Sequence, residues 1–292
     1  MSERSDVLIT ADDLADLIDA GRRNDRAVVI LDVRWRLDRP DGRLDHAAGH
    51  IPGAVYVDLD RQLAEVGDPK EGRHPVPAVE RLQRDARSWG LDDGSEVVVY
   101  DDLANMSAAR AWWLLRHAGL DSVRMLDGGL RAWTQSGRAL ESGETTPRPG
   151  TVVLRYGRLP VVTMDEAAEV AADGVLLDAR APERYRGETE PIDPRAGHVP
   201  GAVNAPTTGN VDDTGRFLSA EALRDRFAAL GVRGDIPVAG YCGSGVTGAH
   251  TVAALMIAGY EAALYPGSWS QWSNHPDRPV ATGEEHRILH GE

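Results

Sequence analysis

The chain is written twice. Ile30-Leu31-Asp32-Val33-Arg34 returns as Leu176-Leu177-Asp178-Ala179-Arg180, and Gly49-His50-Ile51-Pro52-Gly53-Ala54-Val55 returns as Gly197-His198-Val199-Pro200-Gly201-Ala202-Val203. The run ending at Tyr100 matches the run ending at Tyr241, and residues 128–133 match 267–272. A period of about 140–150 residues is domain-sized, so the repeat is a duplicated domain and not a solenoid. A chain of 292 residues is long enough to give each copy its own core. The join lies in residues 139–160, where the stretch ESGETTPRPG is rich in turn formers. The predicted units are 1–143 and 161–292, with a linker at 144–160.

Each half begins with a capped helix. Thr10 precedes Asp12 and Asp13, Leu14, Leu17 and Ile18 follow at helical spacing, and Gly21 is placed to close the helix. Thr163 has Glu166 three residues on, a capping-box pattern. Short β-branched runs follow at 28–33 and 96–100, and again at 175–178 and 236–241, with amphipathic helices between them, such as 219–230 with Leu223, Phe227 and Leu230 on one face. Short apolar strands alternating with helices predict an α/β fold: two tandem domains, each a parallel sheet flanked by helices.

Charge and cysteine usage narrow the chemistry. With 46 acidic and 32 basic residues the formal charge is −14, a field that disfavours nucleic acid and anionic membranes as partners. An anionic substrate would therefore need locally gathered positive charge. The amino terminus is polar and acidic from the start, unlike a secretory signal, and the most apolar stretch, 252–259, is too short to span a bilayer. A single cysteine rules out an internal disulfide, a CxxC redox pair and any multi-cysteine metal site within one chain. The expected compartment is the cytoplasm.

That cysteine, Cys242, is placed for chemistry. Residues 236–241 read as a strand; Cys242-Gly243-Ser244-Gly245-Val246-Thr247-Gly248 follows at once, and an apolar helix runs from about 249 to 258. Ligands of α/β sheets bind at this end of the strands. Gly243, Gly245 and Gly248 are expected to turn successive N–H groups inward as an anion cradle at a helix N-terminus, which favours a thiolate and a persulfide anion. A lone cysteine is more often a small core residue, but the glycines and the strand-to-helix position outweigh that reading. In the other half Asp101 stands where Cys242 does and the glycines are gone, so that copy is expected to lack both nucleophile and cradle.

The paired domains, the GHIPGA and GHVPGA motifs and the loop CGSGVT together resemble tandem-domain rhodaneses over nearly the whole chain. The resemblance implies an inactive amino-terminal copy, a catalytic carboxyl-terminal one and sulfur carried as a persulfide on Cys242. Gly243-Ser244 after the cysteine resembles the 3-mercaptopyruvate sulfurtransferases, whereas thiosulfate-specific members carry basic residues there. It further implies donor-binding arginines at Arg184 and Arg195, with Arg186 a substitute because the spacing before Arg195 departs from the family, and loop contacts from Gly243, Gly245, Val246 and Thr247. A Ser-His-Asp relay proposed for the family maps onto Ser244, His74 and Asp60, although the loop before His74 is longer here; the alternative for His74 is a surface-loop histidine. Arg34, Arg180, Asp32, Asp178, His50 and His198 recur in both halves and are expected to be structural. No metal or organic cofactor is implied; the partners are a small sulfur donor and a thiol or cyanide acceptor.

Three rivals remain at this point. Phosphatases on the same fold need a C-x5-R loop, and here the sixth residue after Cys242 is Gly248. A non-catalytic sulfur-binding or scaffold module would be favoured by Cys242 lying away from any cleft. Thiosulfate as preferred donor changes only the substrate. The seven tryptophans are read as core or interface residues first, with Trp269 a candidate for the donor pocket.

Overall fold

The computed structural model describes residues 4–24 and 28–284. Five strands, β1 (Leu8–Ile9), β2 (Val29–Asp32), β3 (Val55–Tyr56), β4 (Val97–Tyr100) and β5 (Val123–Leu126), form one sheet in the order β1-β5-β4-β2-β3. Four more, β6 (Val175–Asp178), β7 (Val203–Asn204), β8 (Val238–Tyr241) and β9 (Ala263–Leu264), form a second in the order β7-β6-β8-β9. All pairings of these strands are parallel. The order β5-β4-β2-β3 repeats as β9-β8-β6-β7, and the counterpart of β1 has shrunk to one parallel bridge from Val161 to Leu264. Strands such as β4 (VVVY) and β6 (VLLD) are buried along their whole length, as helices on both faces of a parallel sheet require.

The repeated motifs hold each sheet together. Asp32 takes the Arg34 guanidinium on both oxygens (Nε 3.0 Å, Nη2 2.5 Å), and Asp178 takes Arg180 in the same way (3.0 and 2.6 Å). Each arginine also donates to the carbonyl that precedes the histidine motif, Gly49 or Gly197. The residue after each histidine, Ile51 or Val199, donates its N–H to the tyrosine hydroxyl of the central strand, Tyr100 or Tyr241. All of these side chains are buried, so their recurrence in both halves is explained by folding alone.

Local signals hold with one exception. Thr10 caps the helix Ala11–Asn24, accepting the Asp13 N–H, and the Thr163–Glu166 capping box is formed in both directions. Gly21 does not end its helix: the turn continues to Asn24, because a glycine with no left-handed φ to adopt remains compatible with helix.

The helices that follow the two central strands, Ala108–His117 after β4 and Val246–Ile257 after β8, pack against each other. Buried alanines on both, among them Ala108, Ala111, Ala249 and Ala253, suit a close approach, and one apolar core contains residues of both units. The connecting segment lies along the first unit, with Val152 donating to the Leu91 carbonyl and Arg155 to that of Ala118. Because both interface helices begin at the carboxyl ends of their strands, the loops preceding them face a shared cleft.

Candidate active site

Cys242 leaves β8 directly into this cleft. Its N–H donates to Ser268 Oγ (3.1 Å) and its carbonyl accepts the Trp269 N–H (3.0 Å), so its backbone is fixed from the loop after β9. Ser268 adopts φ +54°, a strained conformation for a non-glycine residue, which the surrounding hydrogen bonds impose. Gly245 N–H points at Cys242 Sγ (3.1 Å), and the helix Val246–Ile257 starts at the next residue. An amide donor and a helix N-terminus both favour negative charge on that sulfur. Only glycine fits at 245: φ is +80° and a Cβ would lie 2.2 Å from the Pro266 carbonyl oxygen.

Gly248 has a different role from the one its spacing suggests. It sits inside the helix, where a Cβ would press on Leu264 (3.0 Å) and the Tyr241 backbone (3.4 Å), so its smallness serves helix–sheet packing and not the sulfur cradle.

A cavity of about 360 Å³ opens over Cys242. The second unit contributes Arg184, Gly243, Ser244, Val246 and Thr247 to its wall; the first contributes Trp35, Arg73, Leu103 and Met106. Although Cys242 is only 2% exposed, it forms part of the cavity wall, in the cleft and not apart from it.

Beside the thiol, residues 170 positions apart in sequence form a hydrogen-bonded chain. Ser244 Oγ lies 2.8 Å from His74 Nδ1, and His74 Nε2 lies 3.0 Å from Asp60 Oδ1, which also accepts from Trp35 Nε1 (3.0 Å). A carboxylate only accepts, so the neutral imidazole carries its proton on Nε2 and presents Nδ1 to the serine hydroxyl. Burial lowers the His74 pKa, outweighing the bond to Asp60, and the nearby charges of Arg110 and Arg73 act in the same direction. Burial works to raise the Asp60 pKa, but the bonds from His74 and Trp35 prevail and hold it below the ordinary value. The chain is therefore a neutral base backed by an ionised carboxylate.

The arginines separate clearly. Arg184 reaches the cavity, tied by Nη2 to Glu190 (2.6 Å) and Asp193 (3.4 Å). Arg195 does not line it: four of its N–H donors are spent on the carbonyls of Ser273, Arg278, Trp272 and His275, fastening the segment after the last helix. Arg186 is a surface residue paired with Glu188. Trp269 is fully buried under Arg180, with its indole N–H on the Arg195 carbonyl, and takes no part in the cavity wall.

The matching loop of the first unit corrects an expectation. It has no glycines, yet it forms a complete anion cradle: Asp101 accepts N–H groups from Leu103, Asn105, Ser107 and Ala108, three at 2.8 Å and one at 3.0 Å. Positive φ at Ala104 (55°) and Asn105 (64°) makes the turn that glycine was expected to supply. The cradle persists, filled by the protein's own carboxylate.

Sequence reasoning also missed Trp35, Arg73 and Arg110. Arg73 carried one signal, its place next to His74. Arg110 is fully buried with no carboxylate partner among the described residues; burial lowers its pKa to about 10, and it donates to the carbonyls of Leu63 (3.1 Å), His74 (2.8 Å) and Gly245 (3.3 Å), joining the histidine segment to the cysteine loop.

A thiol fixed at the end of a parallel strand, with an amide on its sulfur and a proton chain alongside, defines a thiol-dependent group-transfer site. Residues 10–136 and 163–275 each match the rhodanese-like domain, and the chain belongs to that family. It is 46% identical to a Mycobacterium tuberculosis protein named "Putative thiosulfate sulfurtransferase SseB", covering 97% of this chain and 99% of the relative. It is equally 46% identical to the Pseudomonas aeruginosa "Probable 3-mercaptopyruvate sulfurtransferase", covering 95% and 98%. The crystal structure of the 3-mercaptopyruvate sulfotransferase SseA from Escherichia coli superimposes with a TM-score of 0.78 at 32% identity, over 90% of this chain and 98% of that one. Among the described residues no helix is long and apolar enough to cross a membrane.

Proposed function

We propose that this protein is a sulfurtransferase that takes sulfur from 3-mercaptopyruvate onto Cys242 and passes it to a thiol or to cyanide, in the cytoplasm. The Cys242 thiolate attacks the donor sulfur; an S–S bond forms, the carbon–sulfur bond breaks, and its electron pair moves to C3 as the enolate of pyruvate. The proton carried by the donor thiol passes through Ser244 to His74, whose imidazolium is stabilised by Asp60, and returns by the same path to C3. Pyruvate leaves, and Cys242 holds the sulfur as a persulfide anion facing the Gly245 amide. An acceptor thiolate or cyanide then attacks the outer sulfur and regenerates the Cys242 thiolate. Arg184 holds the donor carboxylate, and the loop from Gly243 to Thr247 shapes the wall around it.

The observation that carries the donor assignment is the Asp60–His74–Ser244 chain beside the thiol. Carbon as leaving group must be protonated, whereas thiosulfate releases sulfite, which needs no such proton. A relay next to Cys242 has work to do only with the former. Thiosulfate remains the second reading, favoured by the name of the mycobacterial relative.

The test measures pyruvate release from 3-mercaptopyruvate and thiocyanate formation from thiosulfate, with cyanide as acceptor, for wild type and Cys242→Ala. Cysteine-dependent turnover that prefers mercaptopyruvate supports the proposal. Preference for thiosulfate overturns the donor, and absence of turnover with both overturns the enzyme in favour of a binding module.

A further inference from the structure

Gly243 is flanked by two guanidinium groups from different units. A Cβ at this position would lie 3.0 Å from Arg73 Nη2 and 3.5 Å from Arg184 Nη1, so the absence of a side chain leaves both facing the cavity directly after the nucleophile. Both arginines reach Asp193, and Arg184 is tied more closely to Glu190 (2.6 Å); among the described residues the Nε of each is buried without a hydrogen-bond partner. Arg73 bonds Asp193 through Nη1 and Arg184 bonds its carboxylates through Nη2, which leaves Arg73 Nη2 and Arg184 Nη1 side by side at Gly243, next to a reactive sulfur, as donors suited to the oxygens of a small anion.

Arg73 is also held in place with care. Its N–H donates to Ser270 Oγ (3.0 Å), and the N–H of Ser270 donates to the Gly243 carbonyl (2.8 Å), so one residue links the Arg73 backbone to the cysteine loop. Gly72, at φ +94°, packs so closely on the second unit that a Cβ would meet the Gly267 carbonyl at 2.8 Å. His275 Nε2 contacts the Lys70 carbonyl (3.1 Å) from the same side. The lengthened loop before His74 is thus fastened to the second unit, and what it delivers to the cavity is the Arg73 guanidinium.

We infer that Arg73, supplied by the catalytically inactive copy, is the second donor-binding arginine and sets specificity for an anionic sulfur donor, with Asp193 as the positioning residue that holds Arg73 and Arg184 in parallel. The inference rests on the proposed sulfurtransferase reading. It removes Arg195 from donor binding, since that guanidinium is consumed by backbone carbonyls. It also makes the donor site incomplete without the first unit.

The experiment compares wild type, Arg73→Met, Arg73→Lys and Arg195→Lys. KM and kcat for pyruvate release from 3-mercaptopyruvate are measured in each, together with the rate at which preloaded Cys242 persulfide discharges to 2-mercaptoethanol, a neutral acceptor. Loss of a charge-assisted bidentate contact predicts a KM raised roughly 10- to 100-fold in Arg73→Met. Arg73→Lys should recover part of that loss, and the discharge rate should stay within about twofold of wild type, because the lost contact concerns the donor alone. Arg195→Lys should lower the melting temperature and leave KM within about threefold, as expected for a structural residue. An unchanged KM in Arg73→Met, or equal losses in KM and in discharge, overturns the inference. So does a KM increase in Arg195→Lys that exceeds the one in Arg73→Met. Wild-type enzyme inactive with both donors defeats the sulfurtransferase reading instead, and the two failures are told apart by that control.

Discussion

Replacing Asp101 by asparagine tests whether the first unit's loop is held open by an internal anion. The wild-type carboxylate satisfies four amides, two on each oxygen, three of them buried and that of Leu103 part-buried. Asparagine has nearly the same shape but keeps one acceptor oxygen; its NH₂ group must face the remaining two N–H donors whichever way it is turned. Leaving a buried donor unsatisfied costs about 1–3 kcal/mol, so two give roughly 2–6 kcal/mol. Relief of the buried charge offsets part of this, since burial already pushes the Asp101 pKa up against the four amides. The net expectation is a loss of about 3 kcal/mol, a large fraction of the stability of an ordinary domain. Urea unfolding followed by tryptophan fluorescence reads it out, because Trp112 and Trp113 lie on the helix that this loop starts. Leu103, Met106 and Ser107 belong to the same loop and line the cavity, so the donor KM should rise as well. A stability loss below about 1 kcal/mol would refute the argument, because it would mean that the amides find other partners without the carboxylate.

Two other substitutions bear on the mechanism and one on the pH dependence of stability. Asp60→Asn can donate to His74 Nε2 and so shift the imidazole proton to Nδ1, removing the base that faces Ser244; pyruvate release should fall roughly 100- to 10,000-fold, with thiocyanate formation from thiosulfate changed far less, and parallel losses would remove the relay. His250 is fully buried, and burial lowers its pKa from 6.5 to about 4. The unfolded chain therefore takes up a proton below pH about 6.5 that the native state refuses until about 4, so the stability contributed by neutral His250 is intact above pH 6.5 and falls by about 3 kcal/mol on acidification to pH 4. His250→Phe should flatten the wild-type stability profile across that window, and an unchanged slope in urea titrations at several pH values would contradict this. In Gly245→Ala, the clash with the Pro266 carbonyl and the strained φ should pull the amide off the sulfur; persulfide loading, read by mass spectrometry, should drop at least about tenfold in folded protein, and normal loading would show that the amide is dispensable.

The fold was legible because its determinants are local or repeated. Period, capping residues and apolar runs place β2, β4, β6 and β8, and the doubled Asp–Arg and Gly-His motifs identify themselves as structural by appearing in a copy without a nucleophile. Cys242 was legible for the converse reason, as a residue present in one copy only. What escaped was of two kinds. Asp101 was read as a lost cradle because glycine served as the marker for left-handed backbone, whereas Ala104 and Asn105 adopt it once four hydrogen bonds compensate the strain. Arg73 and Trp35 lie in loops and Arg110 in a helix at the boundary between the units, and no spacing within one unit encodes contacts made across that boundary. Arg195 shows the same limit in reverse: its sequence position matched a donor arginine, and the carbonyls at the end of the last helix claimed it.

The division of labour between the copies follows from this geometry. Each unit presents loops at the carboxyl ends of its strands, and the packed interface helices turn the two sets of loops toward one another. One set places Cys242, Gly243 and Arg184 around the sulfur; the other brings Trp35 after β2, Asp60 after β3 and Arg73 and His74 beyond it. Neither copy alone supplies all the groups gathered here: the thiol, its amide donor and Arg184 come from one, and Arg73, His74 and Asp60 from the other. Filling the first cradle with Asp101 gives that copy a rigid loop without a reactive group, so its remaining loops are free to complete the other copy's site. Arg110 joins the two sets mechanically, since a single buried guanidinium bonds both the His74 carbonyl and the Gly245 carbonyl. A shift of the units against each other would therefore break the Arg110 tie to Gly245 and the His74–Ser244 bond at the same time.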